Sequence, residues 1–230
     1  MSGDTAGKAT LRAIASGLIG LAAFGVLLFA PAGTLNYWQA WVFLIVFAAS
    51  TWIPALYLLR KNPAALERRM RAGPGAETRS VQKIIIAVAF ASAAGMIVLS
   101  VLDHRLGWSH VPAAVSVVGD VLVVVGLGVA MLVVVQNTYA AANITVESNQ
   151  HLVSTGLYGF VRHPMYVGNL IMMVGIPLAL GSHWGLVVVI PGLSALVIRI
   201  LDEEKLLNRE LAGYREYTQK VQYRLVPSVW

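Results

Sequence analysis

The chain has 230 residues, of which 57% are apolar and only 12% charged. Its mean hydropathy of +0.71 and its charge content, about half that of a soluble domain, exclude a soluble globular protein and point to one polytopic membrane unit. The absence of cysteine rules out disulfides, thiolate metal sites and cysteine nucleophiles. The net charge of +6 bears on membrane orientation, and no nucleic-acid partner is expected.

A polar leader with Lys8 runs into an apolar segment from Ala13 to Ala30, long enough to span a bilayer. It exceeds the apolar core of a secretory signal, so it is read as a retained span despite Ala30-Pro31-Ala32. After a turn at Pro31–Asn36, the second run covers Tyr37 to Leu59. Tyr37, Trp38 and Trp41 open it as interfacial aromatics, and Pro54 predicts a kink. The loop over 60–83 is basic, with Arg60, Lys61, Arg68, Arg69, Arg71, Arg79 and Lys83. Within it, Ala64–Met70 predicts a short amphipathic surface helix, ended by Gly73-Pro74-Gly75.

The third run spans Ile84 to Leu102, and a short polar stretch carries Asp103, His104, Arg105 and His110. The fourth, Val111 to Val135, is rich in valine, but its length and lack of alternation favour a membrane helix over a strand. A polar loop from Gln136 to His163 follows. Pro164 opens the fifth run, which reaches Leu180, and Gly181-Ser182-His183 turns the chain into the sixth, Trp184 to Leu201. In the tail, Leu207, Leu211, Tyr214, Tyr217 and Val221 recur every three or four residues, predicting an amphipathic helix that Gly213 weakens.

The expected fold is therefore all-α: a polytopic integral membrane bundle of about six spans, with a short hairpin (spans five and six) and an amphipathic C-terminal helix. With the N-terminus in the cytoplasm, every Lys and Arg except Arg105 and Arg199 falls on the cytoplasmic side. The positive-inside rule thus puts both termini and the 136–163 loop on that face. Organisation is expected as 1–136, holding four spans and the basic loop, and 137–230, holding the loop, the hairpin and the tail.

Polar residues concentrate in two places. Gln150 to Tyr166 packs two His, an Arg, two Tyr and two Gly between apolar runs. Pro164 suits the first position of a helix, whose N-terminus presents free N–H groups to an anion, with Arg162 and His163 as further donors. Tyr158 and Tyr166 offer faces to a base or a cation, and Asn143, Gln150 and His151 add hydrogen-bonding groups. The second place is Arg199–Glu204. Arg199 and Glu203 lie four apart and can pair, and Asp202, Glu203 and Glu204 form an acidic cluster suited to an ammonium or a ribose. Each group also has a bland alternative, an interfacial belt or a charged helix end. Asp120, the only acid deep within a span, has a structural and a functional reading of equal standing. His104, His110 and His183 are too scattered for a metal site, and no metal is expected.

LVSTGLYGFVRHPMYVGN, RILDEEKLL and GYREYTQKVQYRLVP, in that order, resemble the isoprenylcysteine carboxyl methyltransferase family, with its bacterial and phospholipid-methylating relatives. The resemblance covers about Asn143 to Pro227. It implies a membrane methyltransferase using S-adenosylmethionine and acting on a lipophilic or lipidated acceptor at the bilayer. It implies cofactor contacts at Asn143, Gln150, His151, Leu152, Val153, Tyr158, His163, Pro164, Met165, Tyr166 and Glu203, and a substrate-orienting Arg199. Region 137–230 would be the cofactor-binding unit. Methyl transfer needs alignment and desolvation more than acid–base groups, consistent with the lack of a nucleophile–base set.

Two other classes compete. Membrane sterol reductases, which use NADPH, share the Arg-His-x-x-Tyr loop and the Tyr-Arg-x-x-Pro tail. They carry Asn before that Tyr, where this chain has Met165, and are usually longer. A non-catalytic scaffold or transporter is the other; transporters show paired broken helices in two repeats, and the sequence has none.

Overall fold

In the computed structural model the described residues are 2–70, 77, 79–140 and 150–230, with side chains omitted for 2–14 and 16. They form eight α-helices and no strand: α1 (Ser2–Ala32), α2 (Trp38–Lys61), α3 (Pro63–Met70), α4 (Ser80–Leu106), α5 (Ala113–Gln136), α6 (Pro164–Ala179), α7 (Val189–Glu210) and α8 (Tyr214–Lys220). Single 3-10 turns lie at Gly156–Gly159 and Trp184–Val188. The chain is an all-helical integral membrane protein. Among the described residues, four helical stretches are long and apolar enough to cross a bilayer: Trp38–Lys61, Ser80–Leu106, Ala113–Gln136 and Trp184–Glu210. Helix α6 is shorter, though apolar, so a count of six full crossings does not follow from length.

Apolar side chains such as Ile45, Ile53, Val88, Val124 and Ile190 face outward, as in a helix bundle solvated by lipid. The core joins α1, α2, α4, α5 and α6 through Leu28, Phe43, Met96, Val101, Val123, Ile176 and Leu180. The closest helix pair is α5 with α6. A Cβ on Gly126 would lie 2.5 Å from the carbonyl oxygen of Gly168, and one on Gly175 2.9 Å from that of Gly119. Glycine lets the two backbones touch. This antiparallel seam fixes the start of α6, with Pro164 at its first position, against the end of α5.

One end of the bundle is clasped by a buried acid. Asp103 accepts hydrogen bonds from Ser109 N and Oγ (2.7 Å each), Ser182 Oγ (2.5 Å) and Trp184 N (3.3 Å). These contacts bind the α6–α7 turn to the end of α4. Tyr37 belongs to this clasp and not to an interfacial belt. It is buried, donates from its hydroxyl to Leu180 O at 2.5 Å, and stacks on His104 at 3.6 Å. Trp38 and Trp41 remain exposed.

The tail departs from expectation. The last long helix does not stop at Leu201 but runs to Glu210. The chain then breaks, because Gly213 takes φ +79° and starts the separate helix α8. A left-handed residue cannot continue a helix, and glycine adopts that conformation without strain.

Candidate functional site

The other end of the bundle encloses a cavity of about 410 Å³, within the range of small-molecule sites. Every described residue expected to bind the cofactor lines it: Gln150, His151, Leu152, Val153, Tyr158, His163, Pro164, Met165, Tyr166 and Glu203, together with Arg199. Asn143 lies outside the described residues. The wall is not confined to region 137–230. Arg69 of α3 contributes, as do Ile85, Ile86, Ala89, Phe90 and Met96 of α4.

The loop before α6 is shaped from both sides. Gly156 adopts φ +63°, and a Cβ there would sit 2.6 Å from the Gln136 amide oxygen. That oxygen also accepts the Leu157 N–H at 3.0 Å. Asn137 Nδ2 donates to the Tyr158 hydroxyl at 3.1 Å, and the Tyr217 hydroxyl of α8 donates to Tyr158 O at 2.7 Å. Burial raises the Tyr158, Tyr214 and Tyr217 phenols above the ordinary tyrosine range, so all three stay neutral donors.

Two charge networks hold α7 against this loop. In the first, Glu204 is buried and takes three partners: Arg162 Nε at 3.1 Å, His163 Nε2 at 3.2 Å and Arg224 Nε at 2.9 Å. The tail also pairs with the loop by backbone, from Arg162 N to Tyr223 O (2.9 Å) and from His163 N to Arg224 O (3.0 Å). In the second, Tyr166 sits between the two residues expected to pair. Its hydroxyl accepts from Arg199 Nε at 2.9 Å and donates to Glu203 Oε2 at 2.6 Å. Arg199 Nη1 also donates to Gln82 Oε1 at 2.8 Å, and both terminal nitrogens lie 3.3 Å from Glu77 Oε1. Gln82 in turn donates to Asp202, whose other oxygen pairs with Arg79 at 2.7 Å.

The α6 N-terminus is less open to an anion than its sequence suggests. Pro164 has no N–H, and those of Tyr166 and Val167 turn back onto His163 O. The His163 side chain and N–H are both engaged, by Glu204 and by the tail. Residues that sequence reasoning passed over include Gln82, Glu77, Asn137 and Tyr214. A glutamine in the first turn of an otherwise apolar helix, and an acid within a basic loop, were the available signals. Tyr214 is 3% exposed, lines the cavity, and its hydroxyl has no hydrogen-bond partner among the described residues.

Residues 114–212 match the phospholipid methyltransferase family model. Over 96% of this chain and 86% of the other, the fold superposes on the eukaryotic intramembrane Ras methyltransferase ICMT (isoprenylcysteine carboxyl methyltransferase), with TM-score 0.50 at 15% identity. The chain has an ICMT-like membrane fold. A 90-residue stretch is also 32% identical to the Delta(14)-sterol reductase TM7SF2 of Mus musculus. That stretch covers 38% of this chain and only 22% of the reductase. The ICMT-like fold holds the cavity where α3, α4, α6, α7 and α8 meet.

Proposed function

We propose that the chain is an S-adenosylmethionine-dependent methyltransferase that transfers a methyl group to a lipophilic acceptor, of which a prenylcysteine-type carboxylate is one example. The observation that carries this reading is the mixed wall of a single cavity. Acid, phenol and imidazole groups from the loop, α7 and α8 adjoin apolar side chains of α4, α6 and α7. A polar, charged cofactor and a lipid-soluble acceptor need that combination.

The donor set fits the cofactor. Glu203 suits an ammonium or ribose hydroxyls, the faces of Tyr158 and Tyr166 suit an adenine or a sulfonium, and the orphaned Tyr214 hydroxyl is a buried donor awaiting an acceptor. Gln150, His151, Leu152, Val153, His163, Pro164 and Met165 complete that wall. When bound, the cofactor would supply an activated methyl carbon whose bond to sulfur breaks, leaving the electron pair on sulfur, as the acceptor oxygen bonds. The protein then has to align an acceptor oxygen behind that carbon and exclude water. Arg199 orients an acceptor carboxylate, which shares or displaces Glu77 on the same guanidinium. The distribution of Lys and Arg supports cytoplasmic termini and a cavity at the cytoplasmic face.

The local identity to a sterol reductase favours a second reading, NADPH-dependent reduction of a lipid. Calorimetry on the purified chain separates the two. Binding of S-adenosylhomocysteine and not NADPH is expected; a response to NADPH alone overturns the proposal.

A further inference from the structure

We propose that Arg69, on α3, is a second anion-binding residue of the cavity besides Arg199 and takes a carboxylate or phosphate of the bound ligand. The inference builds on the methyltransferase reading and concerns cations that the resemblance did not assign. Three arginines line the cavity, Arg69, Arg162 and Arg199, beside His151 and His163. Arg162 Nε lies 3.1 Å from Glu204 Oε1, and Arg199 already meets Glu77, Gln82 and the Tyr166 hydroxyl. Arg69 differs. Among the described residues its hydrogen bond goes to the Met165 thioether, from Nη1 to Sδ at 3.0 Å. Sulfur is a weak, uncharged acceptor for a group that carries five N–H donors and stays protonated.

Arg69 is half-buried, and that burial lowers its pKa from the ordinary value. A cation partly removed from water with no acid beside it among the described residues is costly, and an arriving anion relieves that cost. The alternative cradle at the α6 N-terminus is largely used up within the protein, as its first-turn donors show. Helix α3 is itself anchored, because Ala65 is buried against Leu58, Val134 and Met165. The guanidinium is thus presented from a fixed element and not from a free loop. The anion has two sources: the cofactor's own carboxylate or the acid group of the acceptor.

The test uses the full chain in nanodiscs, with calorimetry for wild type, R69Q and R69K. The ligands are S-adenosylhomocysteine and its decarboxylated analogue, then S-farnesylcysteine and its carboxamide in the presence of S-adenosylhomocysteine. If the cofactor supplies the anion, R69Q weakens S-adenosylhomocysteine about 10- to 100-fold. It then leaves the decarboxylated analogue unchanged, and R69K recovers part of the loss. If the acceptor supplies it, the same pattern moves to S-farnesylcysteine against its carboxamide. Unchanged affinity of R69Q for both acids overturns the proposal. Should R69Q not fold, the wild type decides: equal affinity for each acid and its neutral partner has the same meaning. Failure of wild type to bind S-adenosylhomocysteine refutes the cofactor reading instead, and the acid–amide pair then judges Arg69 by itself.

Discussion

The two ends of the bundle both bury acids, and they satisfy them differently. At one end Asp103 is met by neutral donors, two serine hydroxyls and two backbone N–H groups, and is fully buried. At the other, Glu203 and Glu204 are met by phenol, imidazole and guanidinium groups, and Glu203 faces a cavity. The first arrangement is closed on itself and holds a turn in place. The second balances charge among side chains that a ligand can reach. A buried acid is therefore a poor marker of a site by itself; what marks the site is charged partners beside open volume.

The strongest way to break that contrast is Asp103→Ala. It strands four donors at once and is expected to cost about 3–5 kcal/mol in thermal unfolding. Affinity for S-adenosylhomocysteine in the folded fraction should stay within about twofold. A large loss of affinity at unchanged stability would show that the clasp end is part of the site. Next is Glu204→Gln, which leaves Arg162 and Arg224 without a counter-charge. Here stability and affinity should fall together, by about 2 kcal/mol and about tenfold. An effect on stability alone would make Glu204 a second Asp103. Glu203→Ala is expected to weaken S-adenosylhomocysteine about tenfold, near 1.4 kcal/mol, with little change in unfolding temperature. Normal binding would remove Glu203 from the cofactor wall.

The same contrast explains what could be read from the sequence. Spans, the α6 start at Pro164 and the turn at Gly156 were legible, because each follows from local apolar length or backbone freedom. The loop and the Arg199–Glu203 segment stood out as polar residues among apolar runs, and the structure brings them to one cavity. Their wiring was not legible. Arg199 and Glu203 are linked through Tyr166, 33 residues from the arginine, and Gln82 and Glu77 reach Arg199 from α4 and the chain before it. No local period encodes such distances. The end of α7 was missed for the same reason. The last apolar run ends at Leu201, before the acidic cluster Asp202, Glu203 and Glu204, but the helix continues to Glu210, and those acids find partners on α4, α6 and the tail. Tyr37 was taken for an interfacial ring because its partner, Leu180 O, lies 143 residues away.

Tyr214 gives the smallest and most discriminating effect. Its hydroxyl has no partner among the described residues, so in the ligand-free protein it costs more than it returns. Tyr214→Phe is expected to leave stability at neutral pH unchanged or to raise it by about 0.5 kcal/mol. Affinity for S-adenosylhomocysteine should fall a few-fold, so binding and stability move in opposite directions. The alkaline limb adds a second reading. The folded pKa of Tyr214 is raised above its unfolded value by burial. Its stability contribution is therefore fully present below about pH 10 and is lost as pH rises toward the folded pKa, because the unfolded chain ionises first. Tyr214→Phe removes one such group and should flatten the decline in unfolding temperature above about pH 10. A variant that is less stable at pH 7 would mean that the hydroxyl has a partner within the protein, and would make Tyr214 part of the clasped architecture and not of the open site.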